Sequence, residues 1–253
     1  MILNYKKPGK GEPLIILHGL LGMLDNWHTI GKNLSQFYQV YLVDARNHGH
    51  SPHSGIFNYE VMCDDIIELM ENEKIESTFL LGHSMGGKTA MTLAQKYPEK
   101  ISKLVVVDIS PKKYPPTHEN IFEALSEVNF NLVKSRKEVE EKLSKHIQEE
   151  EIRQFILKNL FWKESGMLAW RFNLPVIQQS LELVSEPVLL GIFEQPALFL
   201  KGEKSNYLNE QDKDLIKKHF PKSEIITIQN AGHWVHAGQP ELFLKTVLAF
   251  LQK

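Results

Sequence analysis

Residues 80–88 read LLGHSMGGK, with a serine between two glycines and a third glycine following. The run TFLLG at 78–82 is apolar enough for a buried strand, and the amphipathic pattern that starts at Gly86 predicts a helix. Ser84 therefore lies in a sharp turn from strand to helix, with Gly82 and Gly86 two positions to either side. A turn this tight strains the serine backbone and leaves no room for side chains at the glycine positions. The hydroxyl of Ser84 would stand exposed at a helix N-terminus, which stabilises negative charge.

The same letters also fit a phosphate-binding loop. GHSMGGKT at 82–89 matches G-x-x-x-x-G-K-[ST], with Lys88 as the phosphate ligand and Asp108 as a candidate magnesium ligand. Such a loop normally follows the first strand of the sheet, whereas this one comes later in the chain. A purely structural glycine turn is the third interpretation. A nucleophilic serine is the interpretation that also accounts for the histidine and glycine motifs described below.

Composition describes an ordinary globular chain of 253 residues with a net charge of -2. This charge balance argues against capture of nucleic acid or of an anionic membrane surface. One cysteine, Cys63, excludes an internal disulfide and suits a reducing compartment. The first residues do not resemble a signal peptide, and no apolar run reaches the roughly 18 residues of a membrane span. We expect a cytoplasmic monomer or homodimer that is not inserted in a membrane.

Short apolar runs alternate with amphipathic stretches along most of the chain. Because the runs are almost continuously apolar, they predict parallel strands buried on both faces, with helices on both sides of the sheet. The predicted strands are LIIL (14–17), VYLVD (40–44), TFLLG (78–82), LVVVD (104–108), ALFLKG (197–202) and EIITI (224–228). The predicted helices are roughly 58–74, 86–97, 208–219 and 239–251.

No strand-like run occurs from about 112 to 190. THENIFEALSEV (117–128), SRKEVEEKLSKHI (135–147) and EEIRQFILKNLFW (150–162) instead predict helices. We therefore expect a core of residues 1–111 and 191–253, with residues 112–190 inserted as a helical cap.

Several motifs together resemble the α/β-hydrolase family. They are LIILHG (14–19), DARNHGHS (44–51), GHSMGGK (82–88) and AGHWVHA (231–237). HGLLGMLDNW (18–27), VVVDISP (105–111) and WRFNLPVI (170–177) make the chain most similar to bacterial YbfF-type esterases and related small α/β-hydrolase-domain proteins. The resemblance spans nearly the whole chain and is weakest in the cap. It implies an α/β-hydrolase fold, a mostly parallel sheet with helices on both faces and a helical cap.

A serine hydroxyl is barely acidic at neutral pH, so Ser84 needs a base. His233 follows the last predicted strand, where this family places its base, and His236 is a competitor three residues on. Most relatives carry the acid of the triad after the strand that follows the cap, but Ser205 stands there. YbfF-type esterases use an aspartate in a VDISP setting, which implies Asp108. Glu203 is the alternative.

The resemblance also implies the donors that stabilise an oxyanion. They are the backbone N–H of Leu20, which follows His18-Gly19, and the backbone N–H of Met85, which follows the serine. Aromatic residues of the cap and of the last loop are candidates for an acyl pocket, although such residues more often form plain core. The candidates are Trp162, Trp170, Phe172 and Trp234. Arg171 is a candidate partner for an anionic substrate such as an acyl-CoA phosphate, with a structural salt bridge as the alternative.

HGHSPH at 48–53 resembles the H-x-H spacing of metal ligands. The usual Asp-His pair is missing, and this loop is structural in α/β-hydrolases, where Asp44 and Arg46 would hold it. We therefore predict no metal site and no cofactor.

The predicted activity is hydrolysis of small carboxylic esters or thioesters with short to medium acyl chains, acyl-CoA among them, through an acyl-enzyme. Ser84, Asp108 and His233 would be the triad. One rival is a cofactor-free lyase or carbon–carbon hydrolase on the same triad. The other is a non-catalytic ligand-binding protein on the same fold. Fold alone does not decide among them.

Overall fold

Strands with continuous apolar sequences form the centre of the molecule. The structure is a computed structural model and is described for residues 1–115 and 119–253. The described strands are β1 (Tyr5–Lys6), β2 (Pro13–Leu17), β3 (Gln39–Val43), β4 (Thr78–His83), β5 (Ile101–Val107), β6 (Leu160–Trp162), β7 (Leu168–Trp170), β8 (Ala197–Gly202) and β9 (Ser223–Ile228). The main sheet has the order β1-β3-β2-β4-β5-β8-β9 and is parallel except for β1, which pairs antiparallel with β3. This arrangement confirms the predicted fold class.

Helices connect these strands. The described helices are α1 (His28–Leu34), α2 (Tyr59–Asn72), α3 (Met85–Lys96), α4 (Glu119–Ser126), α5 (Arg136–Leu143), α6 (Glu150–Leu157), α7 (Leu174–Gln179), α8 (Leu181–Ser185), α9 (Lys213–His219), α10 (Val235–Gly238) and α11 (Pro240–Leu251). Short 3-10 turns cover Leu24–Trp27, Pro98–Lys100 and Glu210–Asp212. Within residues 1–115 and 119–253, no helix has the length and apolar character needed to cross a membrane.

Alternate residues of each central strand face opposite sides of the sheet. In β2, Ile15 and Leu17 pack with the apolar sides of α2 and α3, while Leu14 and Ile16 pack with those of α1 and α11. Helices therefore cover both faces, which explains why the strand sequences lack polar alternation. The sequence pattern did not predict α1 or β1, because each is too short to show a period.

The insertion between β5 and β8 contains α4 to α8, and it also contains a hairpin. The expectation of an insertion without strands is therefore wrong: β6 and β7 pair antiparallel, with Leu160 opposite Trp170. The helix predicted to reach Trp162 ends at Leu157. The apolar residues of ILKNLFW keep a helical spacing, and three-residue strands are too short to reveal alternation. Thr117 and His118, the first residues of another predicted helix, lie outside the described residues.

The turn between β4 and α3 is as tight as the glycine pattern predicts. A Cβ atom on Gly82 would lie 2.1 Å from the carbonyl oxygen of Gly86. A Cβ atom on Gly86 would lie 2.5 Å from the carbonyl oxygen of Leu17 in β2. These neighbours are backbone atoms and cannot move aside as a flexible side chain can. The glycines thus allow α3 to begin directly against the sheet.

A buried histidine lies under this turn. The ring of His236 stacks on the ring of Trp27 with centroids 3.9 Å apart, and His236 is buried. Burial is the main cause that lowers its pKa from 6.5 to about 3. His48 is also buried, and burial likewise lowers its pKa to about 3. Both imidazoles are therefore neutral in the folded protein at neutral pH.

We expect Gly82→Ala to lower the free energy of unfolding by about 3 kcal/mol, because the new methyl group overlaps backbone atoms. Gly55→Ala is the matched control, since a Cβ there meets nothing within 4 Å, and it should change stability by less than about 0.5 kcal/mol. Equilibrium urea unfolding measures both. Equal stability of the two variants would contradict the packing described for the turn.

Stability should depend on pH through His236. Its folded pKa lies below its unfolded value, so the unfolded chain binds more protons between pH 6.5 and about 3. The buried, neutral His236 makes its full contribution to the free energy of unfolding above pH 6.5. This contribution decreases as the pH falls, with a slope of up to about 1.4 kcal/mol per pH unit. His236→Phe, which keeps a stacked ring, should flatten the slope of unfolding free energy between pH 6.5 and 4.5. The exposed His28→Phe is the control. An unchanged slope in His236→Phe would refute this assignment.

Candidate active site

Ser84 connects β4 to α3 in a strained backbone conformation. Its φ is 52° and its ψ is -116°, a backbone region that residues other than glycine rarely adopt. Two hydrogen bonds hold this conformation: its N–H donates to the Val107 carbonyl at 3.0 Å, and its carbonyl accepts from the Lys88 N–H at 3.0 Å. Ser84 borders a cavity above the sheet. This is the geometry of a nucleophile presented at the carboxyl end of a parallel sheet.

His233 and Asp108 are hydrogen-bonded. The Nδ1–H of His233 donates to Oδ2 of Asp108 at 2.8 Å. Asp108 follows β5 and is completely buried, with a φ of 51°. A buried carboxylate requires partners for its remaining lone pairs. The N–H of Gly202 donates to Oδ1 at 2.9 Å, and the hydroxyl of Ser205 donates to Oδ2. These bonds fix the carboxylate and leave Nε2 of His233 as the ring nitrogen that accepts.

The two candidate acids have different contacts. Glu203 is exposed, and its carboxylate accepts the N–H of Asn230 at 2.8 Å instead of contacting His233. The hydroxyl of Ser205 donates to the carboxylate of Asp108. This role of Ser205 was not predicted, because the sequence identified the residue only as a position without an acid.

Three aromatic rings surround His233. The ring of Tyr207 stacks on the imidazole at 4.0 Å, and the rings of His83 and Trp234 lie 4.6 and 5.8 Å away. Nε2–H of His83 donates to the carbonyl of His233 at 3.0 Å. Burial, and then the charge of His233, lowers the pKa of His83 well below its ordinary value. His83 is therefore a neutral donor that holds the loop of His233. The competitor His236 instead stacks on Trp27 in the core.

The backbone at Leu20 and Met85 lies next to Ser84. Both residues border the same space beside the serine. Met85 begins α3, where the first N–H groups of a helix have no intrahelical acceptor. Leu20 follows Gly19, whose carbonyl accepts Nδ1–H of His18 at 2.8 Å while Nε2 of the same ring accepts the N–H of Ala45. His18 thus orders the loop that carries Leu20.

The cavity above Ser84 has a volume of about 590 Å³ and is lined mainly by apolar side chains. Trp234 lines it, as predicted from the sequence. Ile152 and Phe155 of α6 also line it, and the sequence analysis did not single them out. Both residues belong to the apolar face of EEIRQFIL. The sequence alone does not show whether such a face packs in the core or lines a cavity.

The other predicted substrate contacts lie elsewhere. Trp162 is 58% exposed on β6, and the guanidinium of Arg171 lies over the ring of Phe161 at 4.7 Å. Neither is among the described residues that line the cavity. Trp170 and Phe172 stack on each other at 5.3 Å and are buried inside the cap. The structure therefore brings only Trp234 of these candidates to Ser84.

The histidines of HGHSPH have structural contacts. Nε2 of His48 accepts the N–H of Leu21 at 3.2 Å, and its Nδ1–H donates to the Arg46 carbonyl at 2.9 Å. A carboxylate oxygen of Asp44 accepts the N–H of His50 at 2.9 Å. Both nitrogens of His48 are thus engaged by backbone. Across residues 1–115 and 119–253, no group of three or more His, Cys, Asp or Glu side chains is arranged to hold a metal ion.

Lys88 does not serve the glycine turn. Its ammonium donates to the carbonyls of Ser185 and Glu186 in the cap at 3.1 and 2.6 Å. Burial lowers its pKa to about 8. Because this ammonium is directed at the end of α8, the phosphate-loop interpretation of GHSMGGKT loses its phosphate ligand.

The chain is similar to known proteins along nearly its whole length. The family model of the α/β hydrolase fold matches residues 12–240. The chain is 40% identical to sn-1-specific diacylglycerol lipase ABHD11 of Danio rerio, over 96% of this chain and 80% of that protein. It is 34% identical to Esterase YbfF of Escherichia coli K12, over 95% of this chain and 93% of that protein. A solved marine microorganism esterase is 43% identical and superposes with a TM-score of 0.96 over 98% of this chain and 99% of that chain.

The family match covers the glycine turn, the buried carboxylate and the histidine loop, and the solved marine esterase shares the fold around them. The chain belongs to the α/β-hydrolase family.

Proposed function

We propose that this protein is a serine hydrolase that cleaves carboxylic esters or thioesters through an acyl-enzyme. The observation that carries the proposal is the 2.8 Å hydrogen bond from His233 to the buried Asp108, beside a cavity that Ser84 and His233 both line. Relatives named as an esterase and as a lipase support ester hydrolysis as the general reaction.

The first half-reaction acylates Ser84. Its hydroxyl oxygen attacks the carbonyl carbon while Nε2 of His233 accepts the proton. Asp108 holds the Nδ1–H of His233, so the ring presents the correct nitrogen and its positive charge is stabilised. The oxygen of the tetrahedral intermediate accepts the N–H groups of Leu20 and Met85. His233 then donates its proton to the leaving alcohol or thiol, and the bond to that group breaks.

The second half-reaction releases the acid. A water molecule takes the place of the leaving group, and His233 removes its proton as it attacks the acyl carbon. The second tetrahedral intermediate collapses, Ser84 regains its proton from His233, and the carboxylic acid departs. The route needs no cofactor. The apolar lining of the large cavity supports substrates with at least one apolar substituent.

We expect the wild-type protein to hydrolyse p-nitrophenyl esters and Ser84→Ala to lose at least about 10³-fold of that activity, because the nucleophile is removed. The measurement is release of p-nitrophenolate from a series running from acetate to palmitate. No turnover of any ester by the wild type would favour a lyase, a carbon–carbon hydrolase or a binding protein. Equal turnover by both proteins would remove Ser84 from the mechanism.

A second test separates the acids. Asp108→Asn should lower kcat by about 10³- to 10⁴-fold, because an amide cannot stabilise the imidazolium and favours the wrong tautomer. Glu203→Gln is the matched control, since this side chain is exposed and its carboxylate accepts the Asn230 N–H, and it should retain kcat within about threefold. Steady-state kinetics on p-nitrophenyl acetate measures both. The reverse order of the two losses would show Glu203 to be the acid.

A further inference from the structure

Ser84 lies at the junction of two chambers. One is the cavity of about 590 Å³ beneath the cap, and the other has a volume of about 60 Å³. The residues common to both linings are Leu20, Ser84, Tyr114, Pro115 and Tyr207. The small chamber extends toward α3 and α8 and is otherwise lined by Tyr59, Met85, Lys88, Ile109, Leu181 and Val184, with Ser185 at its end.

The position of His233 decides which substituent of an ester enters which chamber. The leaving oxygen must lie within hydrogen-bond reach of His233, because this imidazole protonates it. His233 and its neighbour Trp234 line the large cavity, and neither is among the described residues that line the small chamber. The leaving group must therefore extend into the large cavity. The acyl substituent, on the other side of the carbonyl carbon, is directed into the small chamber next to Met85.

The wall of the small chamber is held in place. Three consecutive carbonyls at the end of α8 accept hydrogen bonds from side chains of the core. The hydroxyl of Tyr59 donates to Val184 at 2.6 Å, and the ammonium of Lys88 donates to Ser185 and Glu186 at 3.1 and 2.6 Å. Lys88 is 1% exposed. A buried ammonium would lose these partners if α8 moved away, so the chamber resists widening.

The size of this chamber limits the acyl chain. The small chamber has about a tenth of the volume of the large cavity. It therefore takes the smaller of the two substituents, a short acyl group such as acetyl or propionyl. The Lys88 ammonium is engaged by two carbonyls and lies over the ring of Tyr114 at 4.9 Å, which leaves the chamber suited to an uncharged group.

Building on the proposed function, we propose that the substrate is an acetyl or propionyl ester, or the corresponding thioester, of a large apolar alcohol or thiol. The small chamber takes the acyl group and the large cavity takes the leaving group. Specificity for the acyl group and specificity for the leaving group are then independent, because different parts of the cap line the two chambers.

Two ester series test the assignment. In p-nitrophenyl esters from acetate to octanoate the alcohol is constant, and kcat/KM should fall about tenfold for each methylene beyond propionate. In acetate esters from methyl to octyl the acyl group is constant, and kcat/KM should rise about tenfold or more with the alcohol chain. The assignment would be overturned if esters with a long acyl chain and a short alcohol were hydrolysed faster than esters with a short acyl chain and a long alcohol.

Variants of residues that line each chamber test which chamber limits the length of the acyl chain. Leu181→Ala enlarges that chamber and should reduce the ratio of acetate to hexanoate kcat/KM by at least about tenfold. Leu183→Ala is the control, because it is the same substitution on the same helix at a residue 51% exposed and outside both linings, and the ratio should not change. Phe155→Ala enlarges the large cavity and should alter the alcohol series while leaving the acyl limit in place. Urea unfolding of each variant checks that it is folded.

The outcomes separate this assignment from the proposed function. Ser84-dependent turnover with an acyl limit that moves in Phe155→Ala and not in Leu181→Ala would overturn the chamber assignment and leave the serine hydrolase intact. Loss of all ester turnover in the wild type, or full turnover in Ser84→Ala, would overturn both.

Discussion

The carboxylate of Asp108 is the group on which the arrangement of the site depends. It is completely buried, and its hydrogen bonds come from Gly202, Ser205 and His233. Those residues lie at or beyond the ends of β8 and β9, which follow β5 in the sheet. Because a buried charge without partners is very unfavourable, the carboxylate ties the loops after three parallel strands to one another. The orientation of His233 is a consequence of that constraint.

The cap is positioned by a second set of buried polar contacts. Lys88 and Tyr59 of the core donate to the end of α8, and the side-chain amide of Asn159 donates to the Leu21 carbonyl at 2.8 Å beside the glycine loop. The N–H of Asn173 donates to the Asn47 carbonyl at 2.9 Å. Backbone carbonyls accept all five of these bonds. Cap and core together shape both chambers, so the size of each depends on these bonds as much as on the apolar side chains that line it.

Much of the fold was predictable because its signals are local. Continuous apolar runs predicted β2, β3, β4, β5, β8 and β9, and helical periods predicted α2, α3 and α11 to within a few residues. The hairpin of β6 and β7 was not predictable, because its strands have three residues each and continue the apolar spacing of α6. Pairing between strands, and not a local period, is what distinguishes them from a longer helix.

Local sequence patterns were enough to predict the strand-turn-helix at Ser84 and the loop position of His233, because glycines and strand ends mark both within a few residues. Tertiary contacts determine that Asp108, and not Glu203, bonds His233, and that Ser205 supports the same carboxylate. They also determine that Trp234 lines the cavity while Trp162 is exposed on the cap. The bonds to Asp108 join segments that lie far apart in the chain, since 97 residues separate Asp108 from Ser205 and 125 separate it from His233. No local pattern encodes them, because the order of strands in the sheet and the docking of the cap determine which side chains meet.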